Sequence, residues 1–129
     1  MVPSGPSPPV WVVCGGVGSQ WPGMLTQLSQ HPLCASILEE ITELLGSHGF
    51  ELTTITMATD SDVFDRDPRN LFVGLAVLQC LQIEMIKTAG IKISGVLGHS
   101  FGEHAAAFVA GCLTREQFIL SALARGRQL

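Results

Sequence analysis

Apolar residues fall in short runs and stripes along the chain, and their spacing predicts strands alternating with helices. Val10–Cys14 (VWVVC) is a continuous run of β-type residues that stops at Gly15-Gly16, the pattern of a fully buried strand. A glycine-rich loop spans Gly15–Gly23. Met24–Gln30 then suits a short helix, which His31-Pro32 interrupts because proline disfavours helix in the residue before it. Leu33–Leu45 carries apolar residues at 33, 37, 38, 41, 44 and 45 with Glu39, Glu40 and Glu43 between them, a helical stripe with an acidic outer face closed by Gly46 and Gly49. Residues 50–68 show no period and hold Asp60, Asp62, Asp65 and Asp67, so they read as a solvated connector; the order of an EF-hand loop fails for want of its glycine. Asn70–Ala89 is apolar round most of its circumference, which predicts a helix buried against several neighbours and ended by Gly90. Ile91–Leu97 (IKISGVL) reads as a second strand, Gly98–Gly102 as a tight turn, and Phe101–Ala110 as an alanine-rich helix stopped by Gly111. Thr114-Arg115-Glu116-Gln117 fits a capping box, so a last helix starts at Arg115. It meets no stop signal before Leu129, and the chain reads as ending inside a helix.

These elements predict an α/β fold: a small parallel β-sheet flanked by helices, with Val10–Cys14 and Gly95–Leu97 as neighbouring strands. The length, 129 residues, suits one domain or part of one. Residues 1–9 hold four of the seven prolines and read as a flexible linker, which leaves 10–129 as the folded part. With 47% hydrophobic and 14% charged residues, the bulk of the chain cannot be a disordered segment. A net charge of −4 argues against nucleic-acid binding and against a polybasic membrane anchor. No secretory leader and no uncharged run of membrane-spanning length is visible, so a cytoplasmic location is expected. Cys14, Cys34, Cys80 and Cys112 lack metal-like spacing, and each sits in an apolar setting that suits a small buried hydrophobe in a reducing compartment. No metal site is expected.

The chemistry lies between the second strand and the helix that follows it. Gly98-His99-Ser100-Phe101-Gly102 matches G-x-S-x-G in the strand-turn-helix setting that a nucleophile elbow requires. The glycines allow a sharp turn and keep side chains away from the serine. The hydroxyl of Ser100 is then presented at the strand end, and the helix N-terminus faces the charge that develops on a substrate. The Phe101 N–H is the expected oxyanion donor. Without catalysis, the same letters describe a tight β-α turn. The loop Gly15-Gly16-Val17-Gly18-Ser19-Gln20 also follows a strand, and the two strand ends can converge at one sheet edge, bringing Val17 to Ser100. This loop fits a dinucleotide fingerprint poorly, since Trp21 stands where the third glycine belongs.

Together, GVGSQWPGM (Gly16–Met24), GHSFGEHAAAFVAG (Gly98–Gly111), CLTREQ and ALARGRQ (Ala122–Gln128) resemble the malonyl/acetyl acyltransferase domain of fatty acid and polyketide synthases, with the animal-type fatty acid synthase as the nearest pattern. The resemblance runs over residues 10–129. It implies part of the large, α/β-hydrolase-like subdomain of that fold. It also implies roles: Ser100 as the nucleophile acylated from malonyl-CoA or acetyl-CoA, and the N–H groups of Phe101 and Val17 as the oxyanion hole. Arg125 is implied as the partner of the malonyl carboxylate, with His99, Gly16, Gly18 and Gln20 lining the site. A guanidinium fork suits a carboxylate; taken alone, Arg125 is an ordinary solvated helix charge. The implied partners are acyl-CoA, the phosphopantetheine arm of an acyl carrier protein and other synthase domains, with no bound cofactor and no metal.

The family's catalytic histidine and its ferredoxin-like subdomain lie downstream of the residues matched here. The position of a glutamine found in bacterial members corresponds to Phe72, which receives no polar role. His99 and His104 are near Ser100 in sequence, but the elbow turns the serine away from its own helix; His31 and His48 fall in predicted loops. The expectation is therefore an acyltransferase piece that is weakly active alone. The other readings are a serine hydrolase of the α/β-hydrolase type and a non-catalytic remnant that acts through an exposed apolar surface.

Overall fold

The computed structural model describes residues 8–128, so most of the proline-rich lead-in lies outside the described residues; Pro8 and Pro9 are exposed. Strands β1 (Val10–Cys14) and β2 (Ile93–Gly98) form a parallel pair, in register at Val12↔Val96 and Cys14↔Gly98. Among the described residues this pair is the whole sheet. Between the strands run α1 (Thr26–Ser29), α2 (Pro32–Ser47), α3 (Thr53–Thr56), α4 (Asp62–Arg66) and α5 (Pro68–Thr88); α6 (Gly102–Val109) and α7 (Arg115–Arg127) follow β2. The expected α/β class and parallel sheet are present.

Helix α5 is the centre of the core. Val73, Leu75, Ala76, Val77 and Leu81 are sealed from solvent on successive faces, because α2, α4 and α7 pack around it. By length and composition it could cross a membrane, but its apolar surface is spent on these neighbours. Gly126 of α7 lets that helix approach closely: a Cβ there would stand 2.5 Å from the Cα of Arg69. Asp67 caps α5, accepting from the Arg69 N–H at 3.0 Å and from the Arg69 guanidinium at 2.6 Å. The side-chain hydrogen bond from Arg69 holds the Asp67 carboxyl below its ordinary range. At α7 the capping box is complete, with Thr114 and Gln117 bonded reciprocally.

Several expectations are corrected. The apolar run of β1 predicts a strand buried on both faces, yet Trp11 is 59% and Val13 73% exposed. Cys14 belongs to the core and Val12 and Val96 pack against it, whereas Trp11, Val13 and Leu97 stay exposed among the described residues. The segment 50–68 is no solvated connector: it forms α3 and α4 and buries Phe50, Leu52, Ile55, Val63 and Phe64, while its aspartates face outward. Asn70 ties it to α5 through a buried hydrogen bond to the Val63 carbonyl at 2.8 Å. His31-Pro32 starts α2, with proline at the first turn and the His31 ring accepting from the Leu33 N–H at 3.2 Å. Strand β2 begins at Ile93 and reaches Gly98, one residue further than expected. Cys14, Cys34 and Cys80 are buried, and burial pushes the Cys80 thiol up to about 12, but Cys112 is exposed in the turn after α6.

Candidate active site

Strand β2 ends at Gly98, and the backbone reverses into α6 within three residues. Ser100 sits at the apex with φ +57°, the one non-glycine residue at positive φ among the described residues. Its neighbours require this. The His99 N–H donates to the Cys14 carbonyl at 3.2 Å, which extends the sheet ladder past the strand end. The Gly102 N–H then donates to the His99 carbonyl at 2.9 Å and the Glu103 N–H to that of Ser100 at 3.0 Å, which closes the first helical turn. Between these bonds the left-handed conformation is the one that fits, and a non-glycine residue held there stores roughly 1–2 kcal/mol.

The two glycines of the motif serve packing rather than left-handed turning; neither has a positive φ. A Cβ at Gly98 would lie 2.1 Å from the Gly102 carbonyl oxygen, and one at Gly102 would lie 2.1 Å from that of Cys14. They allow the first turn of α6 to sit on the ends of both strands. Ser100 is thereby exposed, its side chain raised off the turn. The ring of Phe101 points the other way, 5% exposed, edge-on to Phe72 with centroids 5.1 Å apart and stacked near Phe118. Phe72 thus acts as the floor under the elbow.

The loop after β1 meets this turn. A Cβ at Gly16 would stand 2.7 Å from the His99 carbonyl oxygen, 3.2 Å from the Phe101 nitrogen and 3.4 Å from the Ser100 Cβ. Only a glycine lets the two backbones come this near. Val17 is the next residue and is 55% exposed. The Ser19 hydroxyl and N–H both donate to the Gly16 carbonyl, at 2.5 and 3.2 Å, and fold the loop on itself. Gly18, at φ +107°, takes the reverse turn. Gln20 bends back so that its Oε1 accepts from the Gly18 N–H at 2.8 Å; it braces the loop. Among the described residues, neither the Val17 nor the Phe101 N–H donates to a protein acceptor.

The side chains of the remaining candidates are exposed. His99 contributes its backbone on both sides of the turn, and its ring is exposed. His104 is exposed one turn along α6, its ring 5.4 Å from that of Phe101. No side chain among the described residues hydrogen-bonds the Ser100 hydroxyl. Arg125 lies exposed in the last turn of α7 and makes no ion pair among the described residues, unlike Arg69 and Arg115. Sequence reasoning missed Gln79. It lies in the apolar middle of α5, and its Nε2 donates to the Gly15 carbonyl at 2.8 Å. The signal for it was a polar residue set between the apolar Val77, Leu78, Cys80 and Leu81.

Residues 10–129 match the family profile described as the acyl transferase domain. Among curated proteins, the norsolorinic acid synthase of Dothistroma septosporum is 35% identical over 114 residues, covering 87% of this chain and 5% of that protein. The highly reducing polyketide synthase ausV of Aspergillus calidoustus is 33% identical over 122 residues, covering 93% of this chain and 5% of that protein. Among solved structures, the acyltransferase domain of the polyketide synthase PpsC of Mycobacterium tuberculosis superposes with a TM-score of 0.74 at 32% identity, over 91% of this chain and 35% of that one. The malonyl-CoA:ACP transacylase of Synechocystis sp. PCC 6803 shares the fold with a TM-score of 0.77 at 23% identity, over 91% of this chain and 38% of that one. The chain therefore spans about a third of the solved chains it matches, and 5% of the length of these curated relatives.

Proposed function

Because the chain belongs to the acyl transferase domain family, we propose that it carries the nucleophile-bearing part of an acyl-serine transferase that moves malonyl or acetyl from coenzyme A to an acyl carrier protein. The Ser100 oxygen attacks the thioester carbonyl, the C–S bond breaks, and coenzyme A leaves as the thiol with the proton that serine gives up. The phosphopantetheine thiol of the carrier protein then attacks the seryl ester and restores the hydroxyl. The N–H groups of Phe101 and Val17 donate to the oxyanion of each tetrahedral intermediate. Removing such a donor lowers turnover by about 10²–10³-fold. Arg125 pairs with the free carboxylate of malonyl, and Gly16 and Gly18 keep the loop backbone open to the substrate.

The observation that carries this reading is the approach of the Gly16 backbone to Ser100 and Phe101, beside an exposed serine held at positive φ. The ausV relative is a polyketide synthase by name, which supports polyketide or fatty acid assembly as the setting of the reaction. Carrier protein and neighbouring synthase domains are the partners, in the cytosol. Among the described residues no side chain hydrogen-bonds the Ser100 hydroxyl, which supports slow transfer by these residues alone.

Radiolabelled malonyl-CoA and acetyl-CoA, compared with a simple aryl ester, test the proposal. Slow labelling from both thioesters with little ester hydrolysis is the expected result, and rapid ester turnover without labelling overturns it. Arg125→Ala is expected to weaken malonyl loading by about 10–100-fold, the range for a hydrogen bond to a charged group, while acetyl loading stays within about twofold. Equal losses with both substrates remove Arg125 from the carboxylate site.

A further inference from the structure

Gln79 is 8% exposed, and its one protein hydrogen bond spans 64 residues of sequence to reach the Gly15 carbonyl. Its Oε1 is fully buried with no partner among the described residues. The residues beside it on α5, Val77, Leu78, Cys80 and Leu81, are all apolar and buried. A half-satisfied amide in such a place is a poor choice for stability, because a leucine or methionine there would bury no orphaned acceptor. The bond it does make lands on a particular point. The Cys14 carbonyl accepts from the His99 N–H, whereas that of Gly15 accepts from Gln79 on α5. The next residue, Gly16, touches the backbone of His99 and Phe101. Nothing else among the hydrogen bonds of the described residues ties Gly15 to the helical layer.

We propose that Gln79 is a positioning residue: by fixing the Gly15–Gly16 peptide, it sets the distance of the Val17 N–H from Ser100. The inference rests on the acyl-serine reading above. It makes the core helix α5, through a single amide, the support of the loop that completes the oxyanion hole. A residue kept for this purpose has a distinctive signature, since removing it leaves stability unchanged or raised while reactivity falls.

The test compares the full chain with Gln79→Met, which preserves side-chain length and burial. A fluorophosphonate ester reports on Ser100, whose oxygen displaces fluoride from phosphorus; the adduct is followed by intact mass. The expected result is a maximal labelling rate reduced by about tenfold, a fraction of the about 10²–10³-fold for outright loss of a donor. Probe affinity is expected to be unchanged and the thermal midpoint equal or higher. Unchanged labelling overturns the proposal, and so does a parallel fall in labelling and midpoint, which marks a merely structural residue. Amide exchange at Gly16–Gly18, read by NMR in the same two proteins, is expected to quicken in the variant. Unchanged exchange also overturns the proposal. Absence of labelling in the unsubstituted chain counts against the acyl-serine reading instead, and the exchange measurement still decides whether Gln79 holds the loop.

Discussion

At Ser100, local conformation and chemistry oppose one another. A serine at φ +57° is less stable than a glycine in the same place, and the surrounding hydrogen bonds leave no other conformation open. Ser100→Gly is therefore expected to raise the unfolding free energy by about 1 kcal/mol in a denaturant melt, whereas Ser100→Ala, which keeps a Cβ, leaves it nearly unchanged. A destabilised glycine variant would show that the turn is relaxed. The motif letters reveal a turn with a serine in it; they do not reveal that the serine itself takes the left-handed conformation. That follows from the tertiary closeness of Gly102 to Cys14, and no local pattern encodes it. Gln20 shows the same limit. It belongs to the loop that the sequence singles out, but its side chain turns back to Gly18.

At the level of elements, the long buried helix, the capped last helix and the strand-turn-helix around the serine were legible because each carries a local signal: an apolar circumference, a Thr-x-x-Gln box and flanking glycines. The connector 50–68 was not. Its core residues fall irregularly at 50, 52, 55, 63 and 64, so neither a period of two nor one of 3.6 emerges, and only α5 and its neighbours give Phe50, Ile55 and Phe64 something to pack on. The end of that segment supplies a pH dependence. Asp67 caps α5, and its carboxyl is held below the ordinary range by Arg69. A depressed folded-state pKa adds stability that is present above the unfolded value near 3.9 and is lost as pH falls through the folded value. The thermal midpoint is thus expected to be flat from neutral pH to about pH 5 and to decline below about pH 4. In Asp67→Asn, which can still cap, this acid-side decline is expected to be shallower, and Asp67→Ala is expected to lose about 1 kcal/mol at neutral pH. An identical decline in the asparagine variant would assign the acid lability to other carboxylates.

At the scale of the molecule, the described residues cover the parallel sheet on one side. Parallel sheets are ordinarily covered on both, and the uncovered side here presents Trp11, Val13 and Leu97. The apolar run of β1 pointed to a strand with two covered faces, and the described residues supply one. The solved acyltransferase chains that this one matches are about two and a half times as long. What these residues do hold is the convergence of two glycine loops on Ser100, and the account stands on that serine being the acylated group. The direct measurement is peptide mapping by mass spectrometry after incubation with malonyl-CoA and acid quench. A malonyl ester on the peptide containing Ser100, absent in Ser100→Ala and reduced in Gly16→Ala, is the expected result. A chain acylated only at the exposed Cys112, or equally acylated with and without the serine, would contradict it.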